Sequence, residues 1–328
     1  MMTRPILHRL RLSVLALGLS ASMAHAGKIE IEVSPGGPGI EGTLFSDSKL
    51  FADAFRTIIV EKKLAAGGNS GRWGKLRSDV HSATVSRMTY SYSRNGRTFT
   101  RTYHARSGPA MEVVLARNKL IGVDGNAVSG TSGTSGTSGS ESEGSRPYSM
   151  SEEDIAKDFS ERKYYPADTP TDIRVRNLAP VDDGIVRSSG KEAAIHSADA
   201  ELKIFRQIEK DVAEGAVEAG GTLTGYVSKA VCPSCTAAAE NLAEEYGIDG
   251  TIHQLVEPGA EVGLADDTLL QSKEASTQLK LARKDYARTN LQRNAVTAPE
   301  EGGWLETKAV QSIEAEEAAR SLAQPCGE

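Results

Sequence analysis

The clearest patterns of apolar and polar residues lie in the second half of the chain. Residues 197–216 have helical spacing of their apolar side chains, at Leu202, Phe205, Ile208 and Val212. "GGTLTGYVS" then predicts a strand, "CPSCTAAAENLAEEYG" a second helix closed by Gly247, and "GTIHQLVEP" a second strand. This order of helix, strand, helix and strand predicts an α/β sheet whose functional residues lie at strand ends and helix starts. A further helix is predicted over residues 271–290.

The first half of the chain has mixed patterns that predict an α+β region. "KIEIEV" alternates as a strand, and residues 46–66 read as a helix that Ser46 or Ser48 caps and Gly67-Gly68 ends. Residues 81–108 predict a β-hairpin, because β-branched and aromatic residues alternate around Asn95-Gly96. Residues 109–123 predict another pair of strands.

A tandem repeat, "GTSGTSGTSGSESEGS", separates the two halves. It has no side chains to bury, so residues 130–146 are predicted to be a flexible linker or an exposed loop. After it, residues 149–165 predict a short helix and residues 165–190 irregular structure. The predicted organisation is a leader (1–26), an N-terminal region (27–129), the linker, and an α/β domain with a helical C-terminal tail (147–328). If the hairpin belongs to the α/β sheet, the linker is an insertion within one fold.

The N-terminus has the features of a secretory signal peptide. Three arginines precede the apolar run "LSVLALGLSASM", which is too short for a good transmembrane helix, and Ala24-His25-Ala26 is a cleavage site. Gly27 is then the first mature residue, and the mature protein is expected to be secreted or periplasmic. No later stretch is apolar enough to span a bilayer, so no membrane association is expected after cleavage.

Charge and cysteine content narrow the function classes. Loss of the leader's three arginines takes the net charge from −6 to −9, which argues against a protein that coats DNA generally. The three cysteines, Cys232, Cys235 and Cys326, are too few and odd in number for a disulfide framework. Two of them form Cys232-Pro-Ser-Cys235, a spacing typical of redox or metal sites.

This C-x-x-C pair has two interpretations. At a helix N-terminus after a strand it fits a thiol–disulfide exchange site, although Val231 stands where such enzymes usually carry an aromatic residue. As a zinc site it is half complete, and because no second C-x-x-C exists, the remaining ligands must be His, Asp or Glu.

Asp199-Ala200-Glu201, one helix and one strand upstream, completes a recognisable arrangement. A D-x-E at one helix start and a C-x-x-C at the next resembles the zinc-dependent cytidine deaminase superfamily. The closest resemblance is to the deaminase-fold domains of bacterial polymorphic toxins, whose first motif opens a helix of the "AE-x-K-x-L" kind, here Ala200 to Phe205. The resemblance covers roughly residues 185–290.

The resemblance implies a mixed sheet sandwiched by helices and a Zn²⁺ ion held by Asp199, Cys232 and Cys235. His196 is the alternative to Asp199, and Glu201 is the general acid and base. The implied reaction is hydrolytic deamination of a nucleobase in a nucleic acid or nucleotide, by a secreted toxin or effector with an immunity protein as partner. Two alternatives stay open: a periplasmic thiol–disulfide oxidoreductase that uses Cys232 and Cys235, and an exported protein without catalytic activity.

The predicted hairpin lies in a basic stretch. Residues 72–106 contain eight Lys or Arg against the single acid Asp79. Arginines on a hairpin can hold phosphates, and aromatic side chains can stack on bases. The residues predicted to contact nucleic acid in this way are Tyr92, Arg94, Arg97, Arg101 and Tyr103. The alternative is a solvated strand face above a core face.

Overall fold

Six strands form one mixed sheet in the part of the chain that the structure describes. The computed structural model describes residues 26–64, 70–121, 161–178, 184–187, 196–260 and 267–291. The strands are β1 (Ile29–Val33), β2 (Val85–Arg94), β3 (Arg97–Arg106), β4 (Asp172–Arg174), β5 (Thr222–Val227) and β6 (Asp249–Gln254), in the spatial order β1-β6-β5-β2-β3-β4. β6 is parallel to both β1 and β5, and β4 is parallel to β3, whereas β2 is antiparallel to both β3 and β5.

Helices cover both faces of this sheet, so the predicted α/β class is confirmed. They are α1 (Pro38–Glu61), α2 (Ser70–Ser82), α3 (Met111–Arg117), α4 (Ala200–Ala213), α5 (Pro233–Tyr246) and α6 (Asp267–Asn290), with a short 3-10 turn at Glu161–Tyr164. α4 and α5 pack over one face, in a core that contains Phe205, Leu242 and Ile252. α1, α2 and α6 form the other core with residues such as Phe55, Leu76 and Leu279.

The elements around the two motifs lie where the pattern predicted them. α4, β5, α5 and β6 follow one another in the predicted order, and Gly247 ends α5 in the left-handed conformation (φ 62°). In the hairpin, Asn95 and Gly96 both have positive φ (53° and 74°), as a tight two-residue turn requires. β2 of this hairpin is hydrogen-bonded to β5, so strands from both sides of residues 130–146 share one sheet.

Three predicted elements need correction. Residues 111–117 are a helix instead of a strand, because Met111, Val114 and Leu115 bury one helical face at i, i+3 and i+4. α1 begins at Pro38, well before the predicted caps, since proline suits a first helical position. The predicted irregular region contains β4, whose three residues are too short to give a strand pattern.

A buried histidine ties the sheet edge to α1. His104 of β3 lies between two carboxylates, with Nδ1 3.0 Å from Oδ1 of Asp47 on α1 and Nε2 in contact with Asp172 on β4. These residues are 57 and 68 positions from His104 in the chain. The contact therefore joins three separate elements.

Several predicted features lie outside the described residues. They are residues 1–25 of the leader, the linker at 130–146, most of the predicted helix at 149–165, Cys326, and the C-terminal tail beyond residue 291. Among the described residues, no helix combines the length and apolar character that crossing a membrane requires.

Candidate metal centre

The starts of α4 and α5 meet at the two sequence motifs. Asp199 is the N-cap residue of α4, Cys232 is the N-cap residue of α5, and Cys235 lies in the first turn of α5. Pro233 at the first position of α5 favours a helix start there. Both helices therefore direct free backbone N–H groups and the positive end of their dipoles toward the motifs, which favours thiolates and carboxylates.

The short loop between β5 and α5 is held by a hydrogen bond near each of its ends. After β5, the Ser228 hydroxyl accepts a hydrogen bond from Val85 N at 2.9 Å. Just before Cys232, Val231 N donates to Oε1 of Gln254 at 2.6 Å. Gln254 is a residue that the sequence analysis missed, although its position at the carboxyl end of β6 is where functional residues of such sheets are expected.

A single carboxylate oxygen brings the ligand candidates together. Oδ2 of Asp199 lies 3.4 Å from Sγ of Cys232 and 3.5 Å from Sγ of Cys235. The same oxygen lies 2.8 Å from Nδ1 of His196. One ligand atom from each of His196, Asp199 and Cys232 falls within 4.8 Å of the others, so this group could hold a metal ion.

Cys232 and Cys235 are free thiols, and their pKa values are shifted in opposite directions. The pKa of Cys232 is lowered to about 7, chiefly because the Cys235 side chain hydrogen-bonds to it, with help from Cys235 N at 3.3 Å. The pKa of Cys235 is raised by the hydrogen bond with Cys232 and then by burial. Of the two thiols, Cys232 is therefore the one that loses its proton first.

Glu201 is buried beside this cluster, two residues after Asp199. Burial raises the pKa of its carboxyl to about 8, and the charges of Asp199 and Cys232 add to that effect. Its own backbone amide and the Ser86 hydroxyl act in the opposite direction. In the metal-free protein Glu201 is thus largely protonated at neutral pH, which leaves it able to hold or release a proton.

Two of the hairpin residues predicted to contact nucleic acid, Arg101 and Tyr103, have their polar groups bound within the protein. Tyr103 is fully buried, and its hydroxyl donates to Oδ2 of Asp211 at 2.7 Å. Arg101 forms an ion pair with the same oxygen at 2.7 Å, and its Nε donates to Pro170 O. Both side chains hold β3 against α4, so neither is free to contact a base or a phosphate in this structure.

The other three hairpin residues divide between packing and solvent. Tyr92 is buried, and Arg94 forms an ion pair with Glu218 at 2.7 Å. Arg97 is exposed. The strand register puts all five predicted residues on the face of the hairpin that α4 covers, with Arg94 and Arg97 paired beside the turn, so they do not form one exposed surface.

Comparison of the chain with known protein families, sequences and structures identified no similar protein. The chain matches no family model, and the searches of curated proteins and of solved structures gave no significant match.

Proposed function

We propose that this protein is a zinc-dependent deaminase acting on a nucleobase in a nucleic acid or nucleotide. The observation that carries the proposal is the convergence of Asp199 Oδ2 on both cysteine sulfurs, at 3.4 and 3.5 Å, with the buried Glu201 carboxyl two residues away. These groups are the D-x-E and C-x-x-C residues on which the resemblance to deaminase-fold toxin domains rests, with Asp199 at the position where the wider superfamily usually has a histidine ligand.

The ligand atoms fit a zinc ion. With bonds of about 2.3 Å to sulfur and about 2.1 Å to oxygen, a tetrahedral zinc site puts sulfur and oxygen about 3.6 Å apart. The two distances from Asp199 Oδ2 agree with this spacing. Two sulfurs with one oxygen favour zinc over magnesium or calcium, and three protein ligands leave one position open, as in catalytic sites.

His196 fits a supporting role in this arrangement. Its Nδ1 is 2.8 Å from the oxygen of Asp199 that faces the sulfurs, and it lies three residues before Asp199. A hydrogen bond from a neighbouring side chain orients a ligating carboxylate. We therefore assign Asp199 as the ligand and His196 as the residue that orients it.

The proposed chemistry assigns one role to Glu201. A zinc ion held by Asp199, Cys232 and Cys235 would supply the Lewis acidity that makes water a nucleophile near neutral pH. Glu201 would accept one proton of that water and deliver it to the ring nitrogen, and would then carry the second proton from the resulting hydroxyl to the leaving amine. The water oxygen bonds to the amidine-type carbon, the exocyclic C–N bond breaks, and ammonia leaves, so a carbonyl replaces the amine.

The proposed setting is a secreted toxin or effector that an immunity protein inhibits. It rests on the N-terminal leader and on the resemblance to toxin domains in residues 185–290. The site's place at the starts of two helices that follow one another in a helix, strand, helix, strand order supports the resemblance, not the setting itself.

Zinc content and ammonia release together test the proposal. The purified chain is expected to hold about one zinc, and Cys232→Ser or Asp199→Ala to lose it. Glu201→Gln is expected to keep the zinc and to lose ammonia release from single-stranded DNA, RNA or nucleotides by about 10²- to 10⁴-fold. Glu240→Gln, an exposed carboxylate on α5, is the matched control and should behave as the wild type. A chain without zinc, or a Glu201→Gln variant with full activity, would exclude the mechanism.

One observation favours a second candidate, thiol–disulfide exchange. The lowered pKa of Cys232 at the start of α5 is a property of attacking thiols in such enzymes. Under this alternative, insulin reduction depends on Cys232 and is unchanged in Glu201→Gln. Ammonia release that depends on Glu201 favours the deaminase.

A further inference from the structure

Two buried cations satisfy four consecutive carbonyls next to the metal centre. Residues 106–109 connect β3 to the region of α3, and their backbone is not part of a helix or sheet beyond Arg106. The Lys203 ammonium donates to Arg106 O at 2.8 Å and to Gly108 O at 2.9 Å. The Arg106 guanidinium donates to Ser107 O at 3.1 Å and to Pro109 O at 2.6 Å.

The amides of this segment connect it to the start of α4. Gly108 N donates to Ala198 O at 2.9 Å, and Ala198 directly precedes Asp199. Ser107 N donates to Thr84 O at 2.8 Å, just before β2. Residues 106–109 are therefore held between the sheet and the residue next to the proposed zinc ligand.

Lys203 is placed to hold this arrangement together. It lies on the same first turns of α4 as Asp199 and Glu201, and its backbone N donates to Asp199 O at 3.1 Å. Helical side chains point toward the N-terminus, which directs the ammonium back toward the segment. Lys203 is only 3% exposed, and burying an ammonium is costly unless strong acceptors compensate. An apolar side chain would fill the volume but leave the carbonyls of Arg106 and Gly108 without this donor.

We infer that Lys203 is a positioning residue that clamps residues 106–109 to the start of α4 and thereby sets Asp199 and Glu201 against the cysteines. The clamp itself is independent of the chemistry, whereas its consequence for zinc and catalysis rests on the proposed deaminase function. Lys203 acts through Asp199 and Glu201 and has no assigned contact with substrate.

Lys203→Met in the full chain tests this inference, because methionine has a similar length without the ammonium. The matched control is Lys210→Met on the same helix, whose ammonium is 40% exposed and pairs weakly with Glu214 at 3.7 Å. The first readout is hydrogen exchange of the Gly108 amide, and the second is zinc affinity from competition with a chelator. We expect Lys203→Met to speed Gly108 exchange and to weaken zinc binding by about 10- to 100-fold, the usual effect of losing an outer-shell partner. Lys210→Met should change neither.

The outcomes separate the inference from the function on which it rests. Wild-type exchange at Gly108 in folded Lys203→Met would overturn the clamp. Faster exchange with unchanged zinc affinity would overturn the positioning role. A wild-type chain that binds no zinc would refute the proposed function, while Gly108 exchange would still decide whether the clamp exists. If Lys203→Met does not fold, Lys203→Arg keeps the cation with different geometry. Lys203→Arg is expected to bind zinc more weakly than the wild type. Wild-type zinc affinity together with faster exchange of the Gly108 amide would refute the positioning role of Lys203.

Discussion

Tyr103→Phe separates a structural role of the hairpin from a nucleic-acid-binding role. The substitution keeps the buried ring and removes only the hydroxyl that donates to Asp211 at 2.7 Å. Asp211 is itself buried, and its carboxylate also accepts from Arg101 at 2.7 Å and Gln207 at 2.8 Å. The hydroxyl thus belongs to a buried network that joins β3 to α4.

The size of the effect follows from that network. A hydrogen bond to a charged acceptor contributes about 1.5–3 kcal/mol to folding. Arg101 and Gln207 still satisfy the carboxylate after the hydroxyl is lost, so the expected decrease in the free energy of unfolding is near the lower limit, about 1.5 kcal/mol. Asp211→Asn should cost more, about 3–5 kcal/mol, because it leaves the half-buried Arg101 guanidinium without its partner charge.

Urea unfolding followed by fluorescence measures these changes. Tyr92→Phe is the matched control on the neighbouring strand, since its hydroxyl makes a long contact of 3.4 Å with a neutral carbonyl, Ala216 O. Its effect is expected to stay below about 1 kcal/mol. A Tyr103→Phe variant as stable as the wild type, with weakened binding to single-stranded DNA, would refute the structural assignment of Tyr103.

Two further predictions concern stability. Burial alone would lower the pKa of His104, but the hydrogen bonds to Asp172 and Asp47 outweigh burial and raise it above 6.5. His104 therefore stabilises the fold fully below pH 6.5, and this contribution is lost as the pH rises through the higher folded-state pKa. In urea unfolding across this range, the free energy of unfolding of His104→Gln should depend less on pH than that of the wild type. Gly250→Ala would place a methyl group 2.1 Å from Leu223 O, a backbone atom of β5, and should cost at least about 1–3 kcal/mol in the same assay. Gly259→Ala, which has open space around it, should be neutral, and equal stability of the two alanine variants would contradict the packing described for β5 and β6.

The α4 to β6 region could be predicted because its signals are local. The apolar face of α4, the proline after Cys232 and Gly247 at the end of α5 each act within a few residues. Local spacing also placed Asp199 and Cys232 at helix starts, and the sheet then brought these starts together. The metal-ligand group could thus be suggested from sequence, although its distances depend on packing.

The remaining features depend on partners distant in the chain. A hairpin pattern states which residues alternate but does not state which face is covered, so Tyr103 could be predicted as an exposed stacking residue when it faces α4. Lys203 looks like a solvated helix residue until residues 106–109 are placed beside it. The position of β1 beside β6 likewise joins strands more than two hundred residues apart, for which no local pattern exists.

The strand order determines where this protein can be divided. β5 and β6 lie between β1 on one side and β2 on the other, and both of those neighbours come from the first hundred residues. A fragment that starts after the glycine-rich repeat would keep every proposed zinc ligand. It would also expose both hydrogen-bonding edges of the parallel pair β5 and β6, and open edges of this kind promote self-association. Proteolytic removal of the first hundred residues should consequently end both solubility and metal binding, even though no ligand is cut away.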